Sequence, residues 1–345
     1  MIRVLIAEDS AVAREFLAHL INSQPDMQVM GKARNGVEAV AAVKSLRPDI
    51  VVMDSNMPVL NGFGATRQIM TEVPTPIIIV SASLRPEEVS TTFKAMEAGA
   101  LTALAKPLGP THPQHDKVVN HFLQTIRLMS EVKVVRRRSL GMRITSPSTS
   151  PEKNKPLGPG GVVAIGASTG GPQVIQTILS RLDTSLAAPV LIVQHISPGF
   201  IQGFVDWLAK TSHFPVNLAT SQEKILPGQA YIAPDGFHLG VDGGGRLLLS
   251  QAAPENGLRP AVSFLFRSVV AAYGRKAVGV LLSGMGRDGA AELKQLREAG
   301  ALTIAQDQAS AVIFGMPGEA VRLGAACHIA PPEEIARIIN KTINH

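Results

Sequence analysis

Short apolar runs alternating with amphipathic segments leave few folds open to this chain, because a run that is apolar on every side must be covered on both faces. Such runs occupy residues 3–7, 28–33, 50–53, 77–80 and 101–105, and again 162–165, 190–194, 277–283 and 302–305. Helical patterns fill the intervals. The chain therefore predicts an α/β protein with two doubly wound parallel sheets, the second interrupted by a β-hairpin insertion near residues 229–249, where PDG and DGGG signal turns. At 345 residues, each half is long enough to bury its own core.

The two halves are separated by a stretch of different composition. Between Glu131 and Gly160 the periodic apolar positions stop and Arg136 to Arg138, SPSTSP and PLGPGG appear. The stretch holds seven basic and two acidic side chains, so it carries +5 of the formal +6 and leaves about +1 for everything else. This reads as a flexible basic linker over 129–158 between domains at 1–128 and 159–345. Its arginines docking on nucleic acid or an acidic partner is the alternative, but no folded basic face and no helix-turn-helix pattern support a nucleic-acid partner. The N-terminal run RVLIA ends at Glu8 and Asp9, too soon for a signal peptide, and no stretch approaches a membrane span. A cytoplasmic monomer without membrane insertion is expected. Cys327, the one cysteine, reads as a buried apolar side chain.

In an open α/β sheet the carboxyl ends of the strands face the ligand crevice. In the first half these ends carry Glu8 and Asp9, Asp54, Ser81 and Lys106. Carboxylates brought together repel unless a cation sits among them, and hard oxygen ligands with room for water suit Mg²⁺. A lysine and a hydroxyl then complete a pocket able to hold a phosphoryl group on Asp54. Taken singly, each of these acids is equally well a solvated loop residue.

In the second half, GVVAIGASTGGP presents Ser168 in a G-x-S-x-G spacing between an apolar strand and a helix opening at Pro172. Backbone N–H groups at such a corner can hold an oxyanion. A glycine-rich turn that binds phosphate, or only closes a βα unit, remains the alternative. His195 ends the strand VLIVQ and Asp288 lies in GMGRDG after another strand, so serine, histidine and aspartate are all assigned to one edge of the sheet. Asp288 read alone is an ordinary helix N-cap. The order Ser168, His195, Asp288 differs from the Ser, Asp/Glu, His order of α/β-hydrolases.

AEDS, MDSNMP and AKP resemble the receiver domain of two-component response regulators. The resemblance implies that Asp54 accepts phosphate from a histidine kinase, that Glu8, Asp9, Asp54 and the Asn56 carbonyl surround Mg²⁺, and that Ser81 and Lys106 contact the phosphoryl oxygens. Ala103 stands where receivers often carry an aromatic. The later stretches IGASTGGP, VQHISPGF, LPGQAYIAP, VGVLLSGMGRDGA and TIAQDQASAVIFGMP resemble the effector domain of chemotaxis-type protein-glutamate methylesterases.

That second resemblance implies a phosphorylation-regulated hydrolase acting on glutamyl methyl esters of chemoreceptor cytoplasmic helices, and deamidating glutamines. It assigns the triad to Ser168, His195 and Asp288 and the oxyanion side to Thr169 and Met285, with no cofactor for ester hydrolysis. LRPAVSFLF departs from the family pattern, with Ala261 and Ser263 in place of a serine and an aspartate, and this bears on the substrate groove. A non-catalytic, phosphorylation-dependent binding module or phosphate sink is the rival from another class.

Overall fold

The computed structural model describes residues 1–81, 86–107, 109–113, 115–132, 134 and 160–344. The chain forms two compact units, Met1–Gly141 and Met142–His345. Apart from 129–132 and 134, the basic linker expected at 129–158 lies outside the described residues, and its first residues continue the last helix of the first unit.

The first unit runs β1 (Ile2–Ala7), α1 (Ala11–Asn22), β2 (Met27–Ala33), α2 (Gly36–Leu46), β3 (Ile50–Asp54), α3 (Gly62–Glu72), β4 (Ile77–Ser81), α4 (Pro86–Glu97), β5 (Thr102–Ala105) and α5 (His115–Ser130). The first three of its helices begin where short polar side chains satisfy otherwise unpaired N–H groups. Ser10 accepts from Ala13, Asn35 from Glu38 and Asn61 from Gly64. All strand pairs are parallel in the order β2-β1-β3-β4-β5, the flavodoxin-like arrangement. The central strands β3 and β4 are buried throughout, as continuous apolar runs under helices on both faces must be.

The second unit continues β6 (Val162–Ala167), α6 (Gly171–Leu179), β7 (Val190–Gln194), α7 (Ile201–Thr211), β8 (Val216–Leu218), β9 (Ala230–Ile232), β10 (His238–Val241), β11 (Leu247–Ser250), α8 (Val262–Tyr273), β12 (Ala277–Leu281), α9 (Ala290–Glu298), β13 (Leu302–Gln306), α10 (Met316–Arg322), β14 (His328–Ala330) and α11 (Pro332–Asn344). Seven parallel strands form one sheet in the order β14-β13-β12-β6-β7-β9-β8. Chain order departs in opposite directions on the two sides of β6, which makes the β6/β12 boundary the switch point where such sheets bind ligands.

Two expectations change here. The region read as a hairpin is split: β9 joins the main sheet beside β7, and only β10 and β11 pair antiparallel as a separate ribbon. Cys327 is exposed rather than buried, because it leads into the edge strand β14, where no further strand covers it.

One side chain fixes how α8 meets the sheet. A Cβ at Gly166 of β6 would lie 2.3 Å from Val262 Cγ1, and one at Gly289, just before α9, would lie 2.4 Å from the same atom. Val262 therefore fills a notch made by two glycines at the start of α8. Gly166→Ala overpacks that notch and is expected to lower stability by about 1–3 kcal/mol, read from the midpoint of urea unfolding.

Candidate functional site

In the first unit the carboxyl ends of β1, β3, β4 and β5 bring the sequence-assigned residues together. Lys106 Nζ lies 2.7 Å from Asp54 Oδ2 and 2.8 Å from Glu8 Oε2. The Lys106 N–H donates to the Ser81 carbonyl, which seats the lysine beside the buried serine at the end of β4. Burial pushes the carboxyls of both Asp54 and Glu8 above their ordinary range, and the Lys106 ammonium only partly offsets this. Burial works against the Lys106 charge as well, but its two carboxylate neighbours hold its pKa above the usual lysine value.

Ligand oxygens of Glu8, Asp9 and Asp54 lie within 4.8 Å of one another, with Asp9 exposed. Carboxylates converging from a buried floor to an open rim fit a small hard cation that keeps part of its water. The Asn56 N–H donates to Asp54 Oδ1 at 3.3 Å, so the loop after β3 is folded over the same carboxylate. Ala103 is buried in β5 opposite Ile79, a position filled without any aromatic ring.

In the second unit, Ser168 and His195 follow the last register pair of the adjacent strands β6 and β7, Ala167 with Gln194. The His195 N–H donates to the Ala167 carbonyl at 2.9 Å, carrying the strand pairing one step further. Ser168 stands in a turn closed by Gly170, whose φ of 79° opens α6. From the other side, β12 delivers Ser283. The Ser168 N–H donates to the Ser283 carbonyl at 2.9 Å, and the Ser283 hydroxyl donates to the Thr169 carbonyl at 2.7 Å. Gln306, fully buried at the end of β13, accepts the Ser283 N–H at 2.7 Å. Among the described residues, the N–H groups of Thr169 and Met285 have no backbone acceptor, whereas that of Ser168 is engaged. Met285 is 39% exposed beside them.

His195 Nε2 lies 3.0 Å from Asp288 Oδ2, both side chains being largely shielded from water. The approach is oblique. It juxtaposes the two groups without a well-aligned N–H···O hydrogen bond. The carboxylate of Asp288 is fixed instead by the start of α8: Oδ2 accepts the Val262 N–H at 2.6 Å and Oδ1 the Ser263 N–H at 3.1 Å. Burial alone would raise the Asp288 pKa, but the His195 imidazole and these donors outweigh it and hold the carboxyl below its ordinary value.

Two readings from sequence are revised by this geometry. Asp288 does not cap its own helix: Gly289 is the N-cap of α9, with no side-chain cap bond, and the carboxylate serves α8. Ala261 and Ser263 are buried and belong to the support of Asp288, not to an open groove. The Ser263 hydroxyl donates to Glu292 at 2.7 Å and accepts the Gly289 N–H at 3.0 Å, while the Ala261 N–H donates to Nδ1 of the fully buried His238. Ser263, Ser283, Gln306 and Gln194 were missed as site residues. A polar side chain closing an otherwise apolar strand, as in VLIVQ and LLS, was the available signal.

Against known families, a model described as CheB methylesterase matches residues 163–339, and one described as a response regulator receiver domain matches residues 4–114. The chain belongs to the CheB methylesterase family. Among its relatives, protein-glutamate methylesterase/protein-glutamine glutaminase 1 of Syntrophus aciditrophicus is 51% identical over 99% of this chain and 98% of its own length. The enzyme of the same name numbered 4 in Geobacter metallireducens is 53% identical, covering 97% of each chain. The crystal structure of the Thermotoga maritima CheB methylesterase catalytic domain is 35% identical, with a TM-score of 0.51 over 53% of this chain and 98% of that one. No described helix is long and apolar enough to cross a membrane.

The depressed pKa of Asp288 fixes a pH dependence. Its ionised form contributes stability that is complete above the unfolded carboxyl value of about 3.9 and is lost as pH falls through the lower folded value. The stability gap between the wild-type chain and Asp288→Asn should therefore narrow as pH falls below about pH 4. Urea unfolding across that pH series reads it.

Proposed function

We propose that this chain is a phosphorylation-regulated hydrolase that removes methyl groups from glutamyl methyl esters on chemoreceptor cytoplasmic helices, releasing methanol, and deamidates glutamines at equivalent positions, releasing ammonia. The observation that carries the reading is the contact of His195 with an Asp288 held ionised at the start of α8, one strand from the Ser168 turn. The relatives named above are methylesterase/glutaminases over their full length, and that supports the substrate class.

In this mechanism Ser168 Oγ attacks the ester carbonyl while His195 takes its proton. With Nε2 beside Asp288, the nitrogen left to receive that proton is Nδ1, the reverse of the usual assignment in serine hydrolases. As the ring becomes imidazolium, the oblique contact with Asp288 has reason to straighten, because the proton on Nε2 then bears positive charge. The tetrahedral oxyanion forms against the Thr169 and Met285 N–H groups, since the Ser168 N–H is committed to Ser283. Methanol leaves with the proton from His195. Water then attacks the acyl-serine with His195 as base, which returns the glutamate and the free serine.

Regulation belongs to the first unit. Asp54 is the proposed phosphoacceptor, a histidine kinase the phosphodonor, Ser81 and Lys106 the phosphoryl contacts, and Glu8, Asp9, Asp54 and the Asn56 carbonyl the Mg²⁺ ligands. The cation would supply charge neutralisation for the incoming phosphoryl group. A modification at Asp54 can change hydrolysis only through its differential interaction with active and inactive states of the chain.

Ser168→Ala is expected to lower methanol release from methylated receptor by at least about 10³-fold; retention of wild-type turnover would overturn the triad. A small-molecule phosphodonor with Mg²⁺ is expected to raise turnover of the full chain and to leave Asp54→Asn unchanged. An equal response in Asp54→Asn would remove the receiver from the regulation.

A further inference from the structure

Gln194 is the last residue of β7 and is 2% exposed, an uncommon setting for an uncharged amide in a strand otherwise made of VLIV. Its single amide nitrogen donates twice, to the Ser168 carbonyl at 2.8 Å and to the His195 carbonyl at 2.7 Å. The orientation of the amide is fixed by chemistry, since turning it over would set an oxygen against two carbonyl oxygens. Its Oε1 is buried without a hydrogen-bond partner among the described residues, and a Cβ at Gly171 would lie 2.2 Å from it. The chain thus leaves one acceptor unpaired and keeps a glycine at the start of α6, and in return one NH₂ group bridges two carbonyls.

We propose that Gln194 is a positioning residue that sets the separation of nucleophile and base by tying the main chain of the Ser168 turn to that of the His195 turn. This inference rests on the assignment of Ser168 and His195 as nucleophile and base. Neither catalytic side chain is touched by the amide; it fixes the backbone from which each of them projects. Strand pairing ends at Ala167 and Gln194, and beyond it the His195 N–H bond and this bridge join the two turns directly. A misplacement on the order of 1 Å between reacting groups costs about 10²-fold in rate, which makes such a bridge a determinant of turnover and not of substrate affinity.

Gln194→Glu keeps the shape and replaces the donor with an oxygen, and Gln194→Met keeps the length and removes polarity. In the full-length chain, methanol release from a methylated receptor fragment should show kcat lowered by about 10- to 100-fold in both variants. KM should stay within about 2-fold, and labelling of Ser168 by a fluorophosphonate probe should slow in parallel with kcat. Thermal melts accompany each assay. Wild-type kcat and probe labelling in either folded variant overturn the proposal. So does a large fall in melting temperature with kcat and KM both degraded in both variants, which marks a general structural role. Ser168→Ala run alongside separates the two claims: if it stays active, the triad assignment fails, whereas an inactive Ser168→Ala beside a fully active Gln194→Glu refutes only the role of Gln194.

Discussion

The catalytic unit depends on one electrostatic arrangement, a carboxylate seated on the first N–H groups of a helix. Asp288 accepts from Val262 and Ser263 at the opening of α8, and the same carboxylate lies against His195. A buried anion is costly unless donors surround it. Here the helix terminus supplies donors that are already oriented and otherwise unpaired, so the anion and the helix end satisfy each other. The Ser263 hydroxyl then joins α8 to the Gly289 N–H and to Glu292, which prevents the loop carrying the acid from moving independently of the helix that holds it.

The Ser168 turn is held by a different principle. Among the described residues, the hydrogen bonds that fix it come from uncharged groups, the Gln194 amide of β7 on one side and Ser283 after β12 on the other. This division leaves the serine hydroxyl out of the network that secures its own main chain. The receiver inverts the logic, since its carboxylates are crowded and desolvated around a single ammonium, which leaves Asp54 and Glu8 less acidic than usual. Crowding of that kind favours whatever brings compensating positive charge.

Much of this was legible in the residues because chemistry placed at strand ends must converge in a parallel sheet, whatever the details of packing. Glu8, Asp54, Ser81 and Lys106 follow from that rule, as do Ser168, His195 and Asp288. What escaped is of two kinds. The strands β8 and β14 are three residues each, too short for periodicity to register, and β9 was absorbed into an apparent hairpin because the turns around it look alike. Most of the supporting residues escaped because their partners are main-chain atoms. A carbonyl at Ser168 or an N–H at Val262 has no sequence signature, so neither the double donation of Gln194 nor the seat of Asp288 could be inferred from residue types.

The notch that receives Val262 has a geometrical consequence. Gly166 belongs to the strand that leads into Ser168 and Gly289 follows Asp288 directly, and a side chain added at either would meet the same methyl group. An isopropyl group thus serves as the gauge block between two halves of a polar machine. The spacing of Asp288 relative to the Ser168 turn is set by the thickness of a hydrocarbon, a dimension that neither pH nor ionic strength can alter.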